Sequence, residues 1–151
     1  MWKAKHFGPY EFDGVSREGL SMPGTGEKNF SPEMARKLDV YHEALSAYLG
    51  YDICIHVHKN GGWAIKGHSD TSQHYKGLAA DIHATNKKTG ARVSLVDMYI
   101  VAEKLNLFGG IGVYDWGLHL DDREARGARW DKTRIRVVKS LAITEMVQDV
   151  A

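Results

Sequence analysis

Cysteine is nearly missing from this chain: Cys54 stands alone among 151 residues. An internal disulfide is therefore excluded, and so is a thiolate-rich structural metal site. No apolar run approaches the ~20 residues that a membrane-spanning helix needs. Charge of one sign is missing too. Twenty basic residues stand against nineteen acidic ones, a net charge of +1, and nothing forms the basic stripe that nucleic-acid binding requires. The opening stretch, MWKAKHFGPYEF, lacks the apolar segment of a secretory signal. There are no repeats or low-complexity tracts, and two of the three prolines fall within residues 8–30.

What is present is an ordinary globular composition, 43% hydrophobic and 26% charged. A chain of 151 residues is expected to form one domain over its whole length, large enough to bury a core without staples. Residues 8–30, rich in Gly, Ser and Glu, read as a long surface loop. Ser31-Pro32 then supplies a helix N-cap and a proline at the first helical position. Met34, Leu38, Tyr41, Leu45 and Tyr48 follow as one apolar stripe, and Gly50 suits the C-terminal cap. From Asp52 to His58 the pattern alternates, with Ile53, Ile55 and Val57 on the buried side and Cys54, His56 and His58 on the other. A second strand is predicted at Ala79–His83. A second helix runs from its Ser94 cap to about Asn106, with Asp97 assisting the cap. Gly109–Tyr114 and Leu118–Asp122 read as strands joined by a tight turn at Asp115-Trp116-Gly117. Arg126–Arg136 reads as a basic connection, and Ser140–Val150 as a closing helix. The expected class is α+β, with helices packed on one side of a small antiparallel sheet.

The chemistry concentrates in Ser72-Gln73-His74-Tyr75-Lys76-Gly77-Leu78-Ala79-Ala80-Asp81 and in the later His119-Leu120-Asp121. Two histidines and one carboxylate suit a single zinc ion with a fourth position open to water, the layout of a catalytic site. His74 and Asp81 are seven residues apart, too far for one helical turn, which points to a loop and a strand. Gly77 lets the backbone bend or approach closely, and Ala79 and Ala80 leave room beside the ion. His6, His42, His68 and His83 carry no motif and read as structural.

The run Ser72-x-His74-x-x-Gly77-x-Ala79-x-Asp81, then a glycine-rich strand leading to His119-x-Asp121, resembles the M15 family of zinc peptidases. These are the D-Ala-D-Ala carboxypeptidases and murein endopeptidases. HFGPYEFD, NFSPEMARKLDVYHEAL and HLDDREARGARW extend the likeness to the small single-domain branch found in phage and bacterial genomes. The resemblance implies a hedgehog/D-Ala-D-Ala-peptidase-like fold and Zn2+ held by His74, Asp81 and His119. It also implies a peptidoglycan peptide as substrate and partner, with Ser72 on the substrate backbone. The chain is expected to act as a monomer on the cell wall. It would arrive there after release by another factor, as a phage endolysin does, or in the periplasm after loss of a leader.

Two positions depart from the family pattern. Many members place Glu or Asp three residues before the last zinc histidine; here Trp116 stands there and cannot transfer a proton. Asp121, two residues beyond His119 on the same strand face, is then the first candidate for the general base and Asp115 the second. Asp121 has an alternative role in orienting His119, and Asp115 an alternative as a plain turn residue. His58 occupies roughly the place of a family arginine that holds substrate. Arg123 and Arg126 are placed to attract a peptide carboxylate, and Trp63, Trp116 and Trp130 to wall a groove. The leading expectation is a zinc metallopeptidase, carboxypeptidase or endopeptidase. A non-catalytic zinc-containing wall-binding or partner-binding module is the alternative, and a hydrolase of another small amide is a third possibility.

Overall fold

Ser31 starts the longest helix as its sequence predicts. In the computed structural model, which describes residues 2 and 4–138, its hydroxyl accepts from the Met34 N–H at 3.1 Å. The helix, α2 (Pro32–Leu49), follows a short α1 (Thr25–Asn29) and ends at Gly50 with φ +79°, the left-handed cap that glycine adopts without strain. The alternating stretch forms β1 (Ile53–Val57), with Ile53 and Ile55 buried. After it come β2 (Ala79–Asn86) and α3 (Leu95–Leu105), the latter capped by Ser94 accepting from Asp97 N–H at 3.1 Å. The hairpin β3 (Gly110–Tyr114) and β4 (Gly117–Asp121) turns through Asp115-Trp116.

The five strands lie in the order β1-β2-β4-β3-β5. All neighbours are antiparallel except β3 and β5 (Ala128–Asp131), which run parallel. The α+β class therefore holds with a mixed sheet, and the Arg126–Arg136 connection contains a strand. That strand, Ala-Arg-Trp-Asp, alternates apolar and polar over only four residues and is half-buried along its length. So short an alternation does not mark a strand by itself, and backbone pairing to β3 makes it one. The closing helix expected at Ser140–Val150 lies outside the described residues.

Strand periodicity divides the sheet's two faces by chemistry. One face presents Ile53, Ile55, Ile82, Ile111, Val113, Leu118 and Leu120 to a core completed by α2 and α3. The other presents His56, Asp81, His83, His119 and Asp121. Residues 8–30 are not a mere surface loop. Phe12 and Phe30 stack at 3.9 Å and are buried, and Trp2 packs against both. These aromatics are spaced without period, so no pattern announces that they plug one end of the core. Deeper in, the buried Tyr41 hydroxyl donates to the Met98 carbonyl at 2.9 Å and ties α2 to α3. Tyr41→Phe should cost about 1 kcal/mol, the net value of one such bond; urea denaturation of the two proteins measures it.

Candidate metal centre

His74 sits on a 3-10 turn, Gln73–Lys76, whose first N–H groups need partners. The Ser72 hydroxyl supplies one, accepting from His74 N–H at 3.2 Å. Gly77 ends the turn with φ +70°, and a Cβ there would collide with the Asn29 carbonyl oxygen. Its own carbonyl accepts from Ser31 N–H at 2.9 Å, so the turn is anchored to the start of α2. Gly77 thus meets both expectations, bend and close approach.

Asp81 and His119 are direct cross-strand partners on β2 and β4. The Asp81 Oδ1 lies 3.2 Å from His74 Nε2 and 3.1 Å from His119 Nδ1. The opposite nitrogen of each ring is committed to an oxygen that only accepts. His74 Nδ1 donates to the Gly62 carbonyl at 2.9 Å, and His119 Nε2 donates to Asp121 Oδ2 at 2.7 Å. Two ring nitrogens with their other sides fixed as donors therefore face one carboxylate oxygen. Such an arrangement needs a cation between them, a proton or a metal ion. The donor set fits a metal. Burial by itself would raise the Asp81 pKa, but the His119 and His74 hydrogen bonds outweigh it and hold the carboxyl well below its usual range. At His119 burial lowers the pKa, and the bonds to Asp121 and Asp81 reverse this, leaving it raised.

His68 joins this group, although no sequence motif marks it. His68, His74 and Asp81 are close enough together to hold a metal ion. The His68 ring lies nearly flat on His74, 3.8 Å between centroids at 17°. Its Nε2 donates to the Asn60 carbonyl at 2.8 Å, and the Tyr75 hydroxyl clamps its backbone N–H and carbonyl. Parallel rings aim their in-plane lone pairs side by side, whereas His74 and His119 meet edge to face at 74° over Asp81. His119 meets the group through Asp81, while among the described residues the three close enough for one ion are His68, His74 and Asp81.

A cleft of about 460 Å³ opens over these residues, between the loop before His74 and the β3–β4 hairpin. Ser72 lines it, as do Trp116 and Trp130. Trp116 stacks on Tyr114 at 4.8 Å and 14°, and Trp130 Nε1 donates to the Tyr114 hydroxyl at 2.8 Å, which makes one aromatic wall. Gly110 and Gly112 make this packing possible: a Cβ on either would run into the Asp121 carboxylate or the Trp130 indole.

The other sequence candidates fall as follows. Asp121 is fully buried, and besides His119 it receives Arg123, through Nε at 2.9 Å and Nη2 at 2.6 Å. Its carboxyl is held well below the usual range, since the His119 and Arg123 bonds overcome burial. Both oxygens are engaged, Oδ1 by Arg123 alone and Oδ2 by Arg123 and the His119 nitrogen turned away from Asp81. Asp115 does not join the site. Its carboxylate is 57% exposed and faces Arg134, accepting from the backbone N–H at 3.3 Å. His58 bonds His83 (Nε2 to Nδ1, 2.8 Å) and packs on the back of the wall at Trp116. Arg126 is occupied by backbone carbonyls of Leu107 and Arg123. Trp63 packs near Gly14, away from the wall. No family model matches the chain, and neither a curated protein nor a solved structure is significantly similar to it.

Proposed function

We propose that this chain is a zinc-dependent peptidase of the M15 type, with the hedgehog/D-Ala-D-Ala-peptidase-like fold, that cleaves peptide bonds in peptidoglycan stem peptides or cross-links. The observation that carries this reading is Asp81 Oδ1 set between His74 Nε2 and His119 Nδ1 at the floor of an open cleft. Two nitrogens and one oxygen suit zinc and leave room for a substrate ligand. Zinc bound there supplies a Lewis acid for the scissile carbonyl and an activated water. The chain's own residues do the rest. Ser72 caps the His74 turn and presents its polar edge to the cleft, and the Tyr114–Trp116–Trp130 wall confines the substrate on the hairpin side. Asp121 fixes the His119 ring so that Nδ1 faces the metal.

In this reading Asp121→Asn weakens zinc binding about 10–100-fold, as loss of a ligand-orienting carboxylate does, and Asp115→Asn changes neither metal affinity nor turnover. Chelator competition and a turnover assay on both variants decide it. If Asp121→Asn keeps full zinc affinity and loses turnover, Asp121 is the general base instead.

The engagement of both candidate carboxylates favours a second reading, a zinc-containing module that binds wall fragments without cleaving them. Digestion of purified murein with zinc-loaded protein, followed by mass analysis of the fragments, separates the two. New termini support the peptidase. Intact murein that retains the protein supports the binder.

A further inference from the structure

We propose that Arg123 is a positioning residue for the metal ligand His119, acting through Asp121, and not a clamp for a substrate carboxylate. The inference rests on the reading that His74, Asp81 and His119 hold the metal.

The argument begins where β4 ends. Asp121 is the last residue of that strand, and the chain turns so that the Arg123 N–H donates to Asp121 Oδ1 at 3.1 Å. The same turn brings the guanidinium back over the carboxylate. Nε reaches Oδ1 at 2.9 Å and Nη2 reaches Oδ2 at 2.6 Å, a two-pronged pair in which both planes are fixed. Oδ2 is also the atom that accepts from His119 Nε2. One carboxylate oxygen thus joins the arginine to the metal ligand.

The carboxylate is enclosed, while the Arg123 side chain stays 29% exposed at the cleft. Asp121 is 0% exposed. Below it Gly110 leaves no Cβ to push it aside. Above it the Arg123 guanidinium lies 5.2 Å from the Trp130 ring, and that ring lies 5.1 Å from the His119 ring. Three elements, β3, β4 and β5, therefore hold one row of His119, Asp121 and Arg123. A buried carboxylate with a single hydrogen bond to an imidazole could swing about its Cβ–Cγ bond and carry the ring with it. The two-pronged guanidinium removes that freedom. Its geometric effect is to keep His119 Nδ1 on Asp81 Oδ1.

This use of Arg123 competes with the role its place in the cleft suggests. Asp121 already fills the side-on edge, Nε with Nη2. What remains is the outer edge, Nη1 with the second Nη2 hydrogen, on a guanidinium whose charge and plane the buried Asp121 already takes up.

The test uses the full chain and zinc alone. Zinc affinity is measured by chelator competition for wild type, Arg123→Gln and Arg123→Lys. In parallel, the His119 ring N–H is followed by NMR in the metal-free proteins. Wild type should bind one zinc and show a protected, hydrogen-bonded Nε2–H. Arg123→Gln should bind zinc about 10–100-fold more weakly, with that N–H signal shifted or lost. Arg123→Lys should fall between the two, because an ammonium restores the charge but only one bond. Arg123→Gln with wild-type zinc affinity overturns the proposal. So does a variant that keeps zinc but raises the KM only for substrates with a free carboxylate, since that is the behaviour of a clamp. If Arg123→Gln does not fold, Arg123→Lys decides alone, and wild-type affinity there overturns the proposal. Wild type that binds no zinc overturns the metal-site reading itself, a distinct failure.

Discussion

Alanine at His74, Asp81 and His119 together should remove zinc from the protein entirely. The expected wild-type result is one zinc per chain after dialysis, and the triple variant should retain none. The consequence for stability is large. A ligand that binds only the folded state adds about 4 kcal/mol at a thousandfold excess over its Kd, which for a domain of this size raises the melting temperature by about 10 °C. That increment should appear on adding zinc to wild type and be absent in the variant. Part of the variant's own loss has another source, because His74 is 1% exposed and its removal strands the Gly62 carbonyl that it now satisfies. Metal analysis and paired melts with and without zinc check both parts. Equal zinc content in the two proteins would sink the site assignment.

Gly77→Val should be among the most damaging single substitutions outside the ligands. Its φ of +70° strains any residue with a Cβ, by about 1–3 kcal/mol, and a β-branched one most. The added carbon also meets the Asn29 carbonyl oxygen with no room to yield, since that oxygen is backbone. Together these should cost about 3–5 kcal/mol, at the upper end for point substitutions. The damage should spread, because the Gly77 carbonyl binds the Ser31 N–H and the turn it closes carries His74. Zinc affinity should therefore fall with stability. Gly90 provides the control. Its φ is +76°, but nothing lies within 4 Å of a Cβ there, so Gly90→Ala should cost only about 1 kcal/mol and leave zinc binding unchanged. Guanidinium unfolding and chelator competition on both variants test the contrast. A Gly77→Val protein with unaltered melting temperature and zinc affinity would refute it.

Some of this molecule is legible in its sequence because local signals and tertiary demand agree. The stripe of Met34, Leu38, Tyr41 and Leu45 and the alternation at Ile53 and Ile55 mark surfaces that are in fact buried, whereas Tyr48, at the end of the same stripe, is 49% exposed. The caps at Ser31 and Ser94 mark helix starts to the residue. The motif marks His74, Asp81 and His119, and the fold places both rings within hydrogen-bond distance of the Asp81 carboxylate. What escaped has no local signal. Trp2, Phe12 and Phe30 come from scattered positions and meet only in three dimensions. The strand Ala128–Asp131 is held by backbone bonds to β3, which side-chain patterns do not encode. His68 belongs to the site because a Tyr75 clamp and an Asn60 carbonyl fold its loop back onto His74, and each contact spans seven or eight residues. The roles of Asp121 and Asp115 hinge on which ring nitrogen, or which neighbouring arginine, each carboxylate meets. Spacing along a strand carries no information on that.

If Asp81 and His119 hold a metal as proposed, their cross-strand pairing ties its capture to strand register. Between β2 and β4 the neighbouring pairs are Ala80 with Leu120 and Ile82 with Leu118, all in the core. A slip of one residue in either strand would turn its apolar groups to the cleft and its own site residue, Asp81 or His119, into the core. In that reading zinc finds its ligands only in a chain whose sheet is already correctly threaded. Ion uptake would then act as a check on completed folding and leave misregistered chains unloaded.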